Sequence, residues 1–129
     1  MKPPVNTLNW FEIPVNDFDR ARQFYSRLFD YHMQDTLAGP NRRGFLPHDP
    51  QGGGVGGAIV QGPDYIPSQR GCLVYLNAGD DLSIVLARVT DAGGKIIQEK
   101  TPVSEEQALG YYAIIRDSEG NHIALHSMQ

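Results

Sequence analysis

Apolar and polar positions alternate in the first predicted strand and then change to a helical spacing. In the run NWFEIPV (residues 9–15), Trp10, Glu12 and Pro14 fall on one face and the residues between them on the other. Pro14 has no backbone N–H, which predicts that this strand lies at the edge of its sheet or ends there. After the capping residue Asp17, apolar side chains recur every three or four positions, and this spacing predicts an amphipathic helix.

The same order of predicted elements occurs twice along the chain. Three strand candidates follow the first helix: YHMQDT, RGFLPH and VGGAIVQ. The second half begins with the strand CLVYLN and a helix capped by Asp81 and ended by Gly93. Its remaining strands are KIIQEK, YYAIIRD and HIALHS. Asp17 and Asp81 lie 64 positions apart, so the pattern predicts two copies of a module with one strand, one helix and three strands.

This repeat predicts an α+β fold in which residues 1–129 form a single domain of two βαβββ modules. Module one spans about residues 5–61 and module two about residues 72–129. The segment 62–71 is rich in Gly and Pro, as expected of a linker. Each first strand is expected at the edge of its sheet, beside the last strand of its own module.

Composition and charge exclude several classes of function. Hydrophobic residues make up 40% of the chain and charged residues 20%, and no apolar run approaches the length of a membrane span. A net charge of -4 offers no basic surface for nucleic acid. The N-terminus lacks the apolar segment of a signal peptide, and the single cysteine cannot form an intramolecular disulfide. We therefore expect a cytoplasmic protein whose partner is a small molecule or another protein.

Three segments, in this order, resemble a known family: EIPVNDFDRARQFYSRLF, YLNAGDDLSIVLARVTDAGGKI and RDSEGNHIALHS. They are similar to the vicinal oxygen chelate superfamily, which includes glyoxalases, bleomycin resistance proteins and extradiol dioxygenases. The resemblance implies that the curved mixed sheets of the two modules face each other around a cup. It implies no single reaction, because this fold hosts isomerases, lyases, dioxygenases, thiol transferases and metal-free drug-binding proteins. Members of this length typically form homodimers, so a homodimer is expected.

The resemblance also indicates where a metal would bind. In metal-dependent members the first strand of each module supplies a His or Gln, and the last strand supplies a Glu or a related ligand. The matching positions here are Trp10, Cys72 and Ala124, with the fourth near Gly57. Only the cysteine offers a ligand, whereas a catalytic metal normally takes three. We therefore expect no cofactor and no usual metal site, although a weakly bound divalent ion between Glu12 and His126 remains open.

Glu12 interrupts an apolar strand and is the strongest candidate for chemistry. It is expected to face the cup two residues along from Trp10, and His126 is displaced from Ala124 by the same step. The carboxylate and the imidazole are therefore predicted to face one cavity from opposite modules, as an acid/base pair. A structural role, in which each residue is hydrogen-bonded or packed separately, has about equal weight.

Five further residues are predicted to bind a ligand: Trp10, Cys72, Val74, His122 and Ala124. Val74 and Ile59 are expected at the level of the predicted acid/base pair, on the other two strands. His122 shares a strand face with the last histidine, but that spacing is about 13 Å, too long for one shared ion. Tyr75 is expected on the helix-covered side of its sheet, and Cys72 is expected to be a small buried apolar residue rather than a nucleophile.

Two functions remain open. The first is a metal-free binding protein that holds a small carbonyl or aromatic compound in a cup floored by Trp10. The second is a lyase or isomerase of the same superfamily, in which Glu12 abstracts or returns a proton and His126 orients or assists. The missing ligand set favours the first, because it removes the usual electrophile that stabilises an enediolate.

Overall fold

A computed structural model describes residues 1–129 and contains two four-stranded sheets, each with helical segments. The first half comprises β1 (Trp10–Pro14), α1 (Phe18–Phe29), β2 (Asp35–Ala38), β3 (Asn41–Phe45) and β4 (Gly56–Gln61). The second half comprises β5 (Tyr75–Asn77), α2 (Leu82–Leu86), α3 (Val89–Ala92), β6 (Lys95–Pro102), β7 (Tyr111–Arg116) and β8 (His122–Ser127). None of the helices is long and apolar enough to cross a membrane.

The two sheets have the same topology. The strand order is β1-β4-β3-β2 in the first sheet and β5-β8-β7-β6 in the second. In each sheet the first strand pairs in parallel with the last strand of its half, and all other pairs are antiparallel. The predicted α+β fold of two βαβββ modules is confirmed, including the edge position of both first strands.

The helix boundaries follow the capping residues that the sequence predicts. Asp17 accepts a hydrogen bond from the backbone N–H of Arg20 and starts α1, which buries one apolar face. Asp81 accepts from the N–H of Ser83 and starts α2 in the same way. The predicted single second helix is wrong, because α2 and α3 are separate short segments. The N–H of Arg88 bonds to the Val85 carbonyl in a tighter turn, which interrupts the α-helical pattern.

Two strand boundaries also differ from the sequence prediction. The candidate YHMQDT contributes only its last two residues to β2. Tyr31 lies just beyond the helix cap Asp30, where its N–H donates to the Ser26 carbonyl in the last turn of α1. The candidate CLVYLN is regular only from Tyr75. Cys72 lies before β5 and is exposed, so the prediction that it is a buried apolar residue is wrong.

One hydrophobic core is shared by both modules, and α1 packs against α3 within it. The β7–β8 turn of module two holds the start of α1. Buried Glu119 accepts hydrogen bonds from the N–H groups of Asn16 and Asp17 at 3.0 and 2.7 Å, and from Arg20 at 2.7 and 3.0 Å. Asn121 donates to the Pro14 carbonyl at 2.7 Å. This turn therefore fixes the relative position of the modules.

Two matching hydrogen bonds establish which residues of the modules are equivalent. The N–H of Val15 donates to the Val60 carbonyl, and the N–H of Ala78 donates to the His126 carbonyl. The first strands are therefore related by 63 positions, one fewer than the helices, because module two has one extra residue at the turn around Gly79.

This relationship corrects two of the positions inferred for metal ligands. The module-two counterpart of Trp10 is Leu73, whereas the sequence prediction placed it at Cys72. The module-one counterpart of Ala124 is Ala58, whereas the prediction placed it near Gly57. The pairing of β1 with β4 and of β5 with β8 determines these counterparts, and the spacing of 64 positions between the helix caps does not report it.

Candidate functional site

Glu12 lies on the sheet face turned away from the helices, within a cluster of donors. Its carboxylate accepts hydrogen bonds from Arg43 Nε at 2.6 Å, from the Tyr65 hydroxyl at 2.9 Å and from Trp10 Nε1 at 3.3 Å. Arg43 Nη2 also donates to the Tyr65 oxygen at 3.1 Å. We call Glu12, Arg43, Tyr65 and Trp10 the carboxylate cluster.

The cluster makes Glu12 a weak base. Burial acts to raise the pKa of this carboxyl, but the hydrogen bonds from Arg43, Tyr65 and Trp10, together with the Arg43 charge, outweigh it and lower the pKa. The same carboxylate acts to raise the pKa of Tyr65, first through the hydrogen bond between them. Both carboxylate oxygens are therefore engaged in holding the linker tyrosine and a β3 arginine against the sheet.

His126 does not face Glu12, so the predicted pair is not formed. Its Nε2 lies 2.8 Å from the Leu109 carbonyl. A carbonyl only accepts, so Nε2 carries the hydrogen and Nδ1 remains available. His126 lines a wide cavity of about 680 Å³ on the open face of the second sheet, whereas Glu12 lines a different cleft. The acid/base arrangement expected from the sequence is therefore absent from this geometry.

A polar cleft lies between the modules at the end of β1. It has a volume of about 220 Å³ and contains four of the seven predicted site residues. Its lining residues are Glu12, Ile13, Pro14, Ile66, Ser68, Arg70, Cys72, Val74, Asn121, His122 and Ile123.

Three side chains of the polar cleft have no hydrogen-bond or ion-pair partner within the protein: the Arg70 guanidinium, the Cys72 thiol and the His122 imidazole. Asn121, in contrast, uses its side-chain oxygen to accept from the Ser68 N–H and its amide nitrogen to donate to Pro14. The cleft thus offers a cation, an imidazole and a thiol to a bound molecule.

A second cleft of about 200 Å³ lies at the other end of the module junction, and we call it the apolar cleft. Its lining residues are Leu8, Phe11, Phe29, Leu46, Pro47, Val55, Tyr75, Leu76 and Asn77. None of them carries a formal charge at neutral pH. Tyr75 and Asn77 also line the wide cavity of the second sheet, so the two spaces share a wall.

The structure places the predicted ligand-binding residues in several environments. Cys72, Val74 and His122 meet in the polar cleft, while Ala124 is fully buried in the second sheet beside Tyr75. Trp10 is 40% exposed and packs edge-on against the Phe45 ring, with 6.2 Å between ring centroids.

The predicted side-chain directions of three residues are wrong. Val74 and Ile59 pack against the shared core rather than facing the cup. Tyr75 is 53% exposed on the open face, where its ring centroid lies 6.1 Å from that of Tyr112. The extra residue after β5 accounts for Val74 and Tyr75, because a shift by one position moves a strand side chain to the opposite face. Ile59 pairs with Ile13 of β1 and shares its buried face.

Sequence reasoning missed Arg43, Tyr65 and Arg70. The tyrosine and Arg70 lie in the Gly- and Pro-rich linker, which local pattern treats only as a connection. Arg43 is on β3, in a strand candidate where its orientation depends on pairing with β4. The structure contains no group of three His, Cys, Asp or Glu side chains arranged to hold a metal ion.

Comparisons with known proteins agree with this architecture. The family model of the Glyoxalase/Bleomycin resistance protein/Dioxygenase superfamily matches residues 7–125, and no curated protein sequence matches the chain. A glyoxalase/bleomycin resistance protein from Streptomyces sp. CB03234 is 24% identical, with 94% of this chain and 100% of that chain covered and a TM-score of 0.63.

Two further solved structures are similar. Fosfomycin resistance protein FosX from Mesorhizobium loti is 19% identical over 96% of this chain and 93% of that chain, with a TM-score of 0.63. Glyoxalase I from Zea mays is 20% identical over 93% of this chain but only 44% of that chain, with a TM-score of 0.65. At these identities the likeness establishes the fold alone.

Proposed function

Because the chain belongs to the Glyoxalase/Bleomycin resistance protein/Dioxygenase superfamily, we propose that it is a small-molecule-binding protein of that fold. The ligand is a small anionic carbonyl compound, and it binds in the polar cleft. The observation that carries this proposal is the convergence of Arg70, Cys72 and His122, all without protein partners, in one cleft of about 220 Å³.

The chemistry of these side chains selects the ligand class. A guanidinium binds a carboxylate with two parallel hydrogen bonds, and an imidazole N–H donates to a carbonyl oxygen. Glu12 also lines the cleft, but its carboxylate oxygens already accept hydrogen bonds from Arg43 and Tyr65. The lyase or isomerase reading is not favoured, since Glu12 has a lowered pKa and His126 lines a different cavity.

Ligand binding in the polar cleft is testable through its only thiol. Cys72 is exposed and is the one cysteine of the chain, so its rate of reaction with DTNB reports access to the cleft. Pyruvate, as a small anionic carbonyl probe, is expected to slow this reaction in a saturable manner. Unchanged rates at saturating pyruvate would contradict the proposal.

A matched pair of arginine variants locates the interaction. Arg70→Gln is expected to weaken protection by pyruvate roughly tenfold or more, because a charged hydrogen bond is lost. Arg27→Gln, which removes an exposed arginine near the end of α1, is expected to leave protection unchanged. Equal losses in the two variants would place the pyruvate elsewhere.

We propose that binding requires no metal cofactor. The support is the set of side chains at the four ligand positions, which are Trp10, Ala58, Leu73 and Ala124 and offer no donor of the usual kind. Elemental analysis of purified protein is expected to give far less than one equivalent of zinc, iron, manganese or nickel.

We also propose that the protein is a cytoplasmic homodimer. The exposed thiol of Cys72 suits a reducing compartment. The edge strand β6 has eight residues, and both Ile97 within it and Val103 just after it are exposed, which favours pairing with a second copy. Light scattering is expected to give twice the chain mass of 14.3 kDa, and a mass near 14.3 kDa would contradict the dimer.

A further inference from the structure

We propose that the apolar cleft is a second ligand site, independent of the polar cleft, and that it binds one neutral aromatic ring carrying a hydroxyl or carbonyl group. The volume of the cleft, the character of its walls and the side-chain amide of Asn77 at its rim support this binding.

The walls suit an uncharged ring. The side chains of Phe11 and Phe29 are partly buried and pack against the shared core, and Leu46 and Leu76 are buried. A dry apolar cavity of roughly 150 Å³ is enough to hold benzene, so about 200 Å³ accommodates one ring with a small substituent. An anion would lose its hydration in this cleft without meeting a cation.

The rim supplies one directional contact. The side-chain oxygen of Asn77 accepts a hydrogen bond from the Gly79 N–H at 2.9 Å. This bond fixes the orientation of the amide and leaves its nitrogen free to donate to a ligand oxygen. Asn77 also borders the wide cavity of the second sheet, so the substituent of a bound ring points toward water while the ring stays between the modules.

The test uses p-cresol, with p-toluate as an anion of the same ring size. In a ¹⁵N NMR titration, p-cresol is expected to shift the amide signals of Val55, Leu76 and Asn77, and p-toluate is expected to bind at least roughly tenfold more weakly. Equal binding of the two probes, or shifts confined to other residues, would overturn the proposal.

A filling variant and its control locate the ring. Val55→Trp places an indole in the cleft and is expected to weaken p-cresol binding at least roughly tenfold. Val5→Trp adds the same side chain to a fully exposed position of the N-terminal segment and is expected to have no effect. Unchanged p-cresol affinity in a folded Val55→Trp protein would refute the site.

A second variant covers the case in which the filling variant does not fold. Leu8 is 54% exposed and lies outside the strands and helices, so Leu8→Ala removes part of the cleft wall at little cost to stability. It is expected to weaken p-cresol binding roughly threefold to tenfold. Unchanged affinity in this variant would count against the site, as would a dimer whose interface covers Val55 and excludes p-cresol.

The two proposals fail separately. Pyruvate protection of Cys72 reports only the polar cleft, and p-cresol shifts near Val55 report only the apolar cleft. A protein that binds p-cresol at Val55 but shows no pyruvate protection would retain this inference and lose the proposed function, and the reverse result would do the opposite.

Discussion

The polar and apolar clefts occupy equivalent positions in the two modules, but only the polar cleft is lined by charged side chains. By the 63-residue relationship of the first strands, Glu12 corresponds to Tyr75 and Val74 to Phe11. Three consecutive residues of one first strand line each cleft, residues 12–14 of β1 in the polar cleft and residues 75–77 of β5 in the apolar one. The other module contributes Val74, just before β5, to the polar cleft and Phe11 of β1 to the apolar cleft. Their volumes are nearly equal, about 220 and 200 Å³.

The difference arises from side chains on a repeated backbone. The linker contributes Ser68 and Arg70 to the polar cleft, whereas the N-terminal segment contributes Leu8 to the apolar one. A duplicated fold therefore provides two sites of the same size, and the segments that lead into each first strand determine which ligands they accept. The fold alone does not determine the function of either cleft.

The largest expected effect concerns a residue pair that differs between the modules. Phe11 pairs with Gly57 in module one, and the counterpart pair in module two is Val74 with Ile123. A side chain at Gly57 would overlap the Phe11 ring. Gly57→Ile is therefore expected to destabilise the protein by about 3 kcal/mol or more, measured by urea unfolding.

The compensating change tests whether the two pairs are alternative ways of filling one space. Phe11→Val alone is expected to cost about 2 kcal/mol through a cavity. The double variant Phe11→Val, Gly57→Ile recreates the module-two pair and is expected to recover at least about 1 kcal/mol relative to the sum of the single changes. Strict additivity would show that the modules do not pack equivalently at this position.

Local signals in the sequence predicted the order of elements, both helix caps and the edge position of Pro14, because each depends on residues close in the chain. The sheet face on which the side chains of Tyr75 and Val74 lie could not be predicted from such local signals. It depends on one extra residue near Gly79, and only the hydrogen bonds between strands reveal that residue. The hydrogen-bond partners of Glu12 could not be predicted from the sequence either, because Tyr65 lies in the linker and Arg43 lies on another strand of the sheet.

An intermediate loss of stability is expected when the β7–β8 turn, which supports the polar cleft, is altered. Glu119 has a fully buried side chain that binds two N–H groups at the start of α1 and the guanidinium of Arg20. Glu119→Ala leaves these donors without a partner and is expected to cost about 2 kcal/mol, because the partner arginine is partly exposed to water. Glu105→Ala, at an exposed site, is the control and is expected to change stability by less than about 0.5 kcal/mol.

The same turn makes the stability of the protein depend on pH. Burial acts to raise the pKa of Glu119, but the hydrogen bonds from Arg20, the Asp17 N–H and Ser118 outweigh it and lower the pKa. A lowered pKa in the folded state means that this stabilisation is complete above the ordinary glutamate value and is lost as pH falls through the folded value. Wild type and Glu119→Ala should therefore converge in stability under acid conditions, and a constant difference down to acid unfolding would contradict this role.

The smallest expected loss of stability concerns the carboxylate cluster. This cluster surrounds Glu12, and its counterpart Tyr75 in module two has no such cluster. Trp10 is the only tryptophan, so its fluorescence reports the hydrogen bond to the carboxylate. The lowered pKa of Glu12 predicts that the signal stays constant from neutral pH down to the ordinary value of 4.5 and changes only below it, as the carboxylate is protonated and releases Arg43 and Tyr65. Glu12→Gln should abolish this transition and lower stability by less than about 1 kcal/mol, because the arginine partner is partly exposed. Tyr65→Phe, which removes one of the three donors, should move the transition to higher pH. A fluorescence transition that is unchanged in Glu12→Gln would mean that another acid causes it. The expected difference in titration between the two first strands would then be lost.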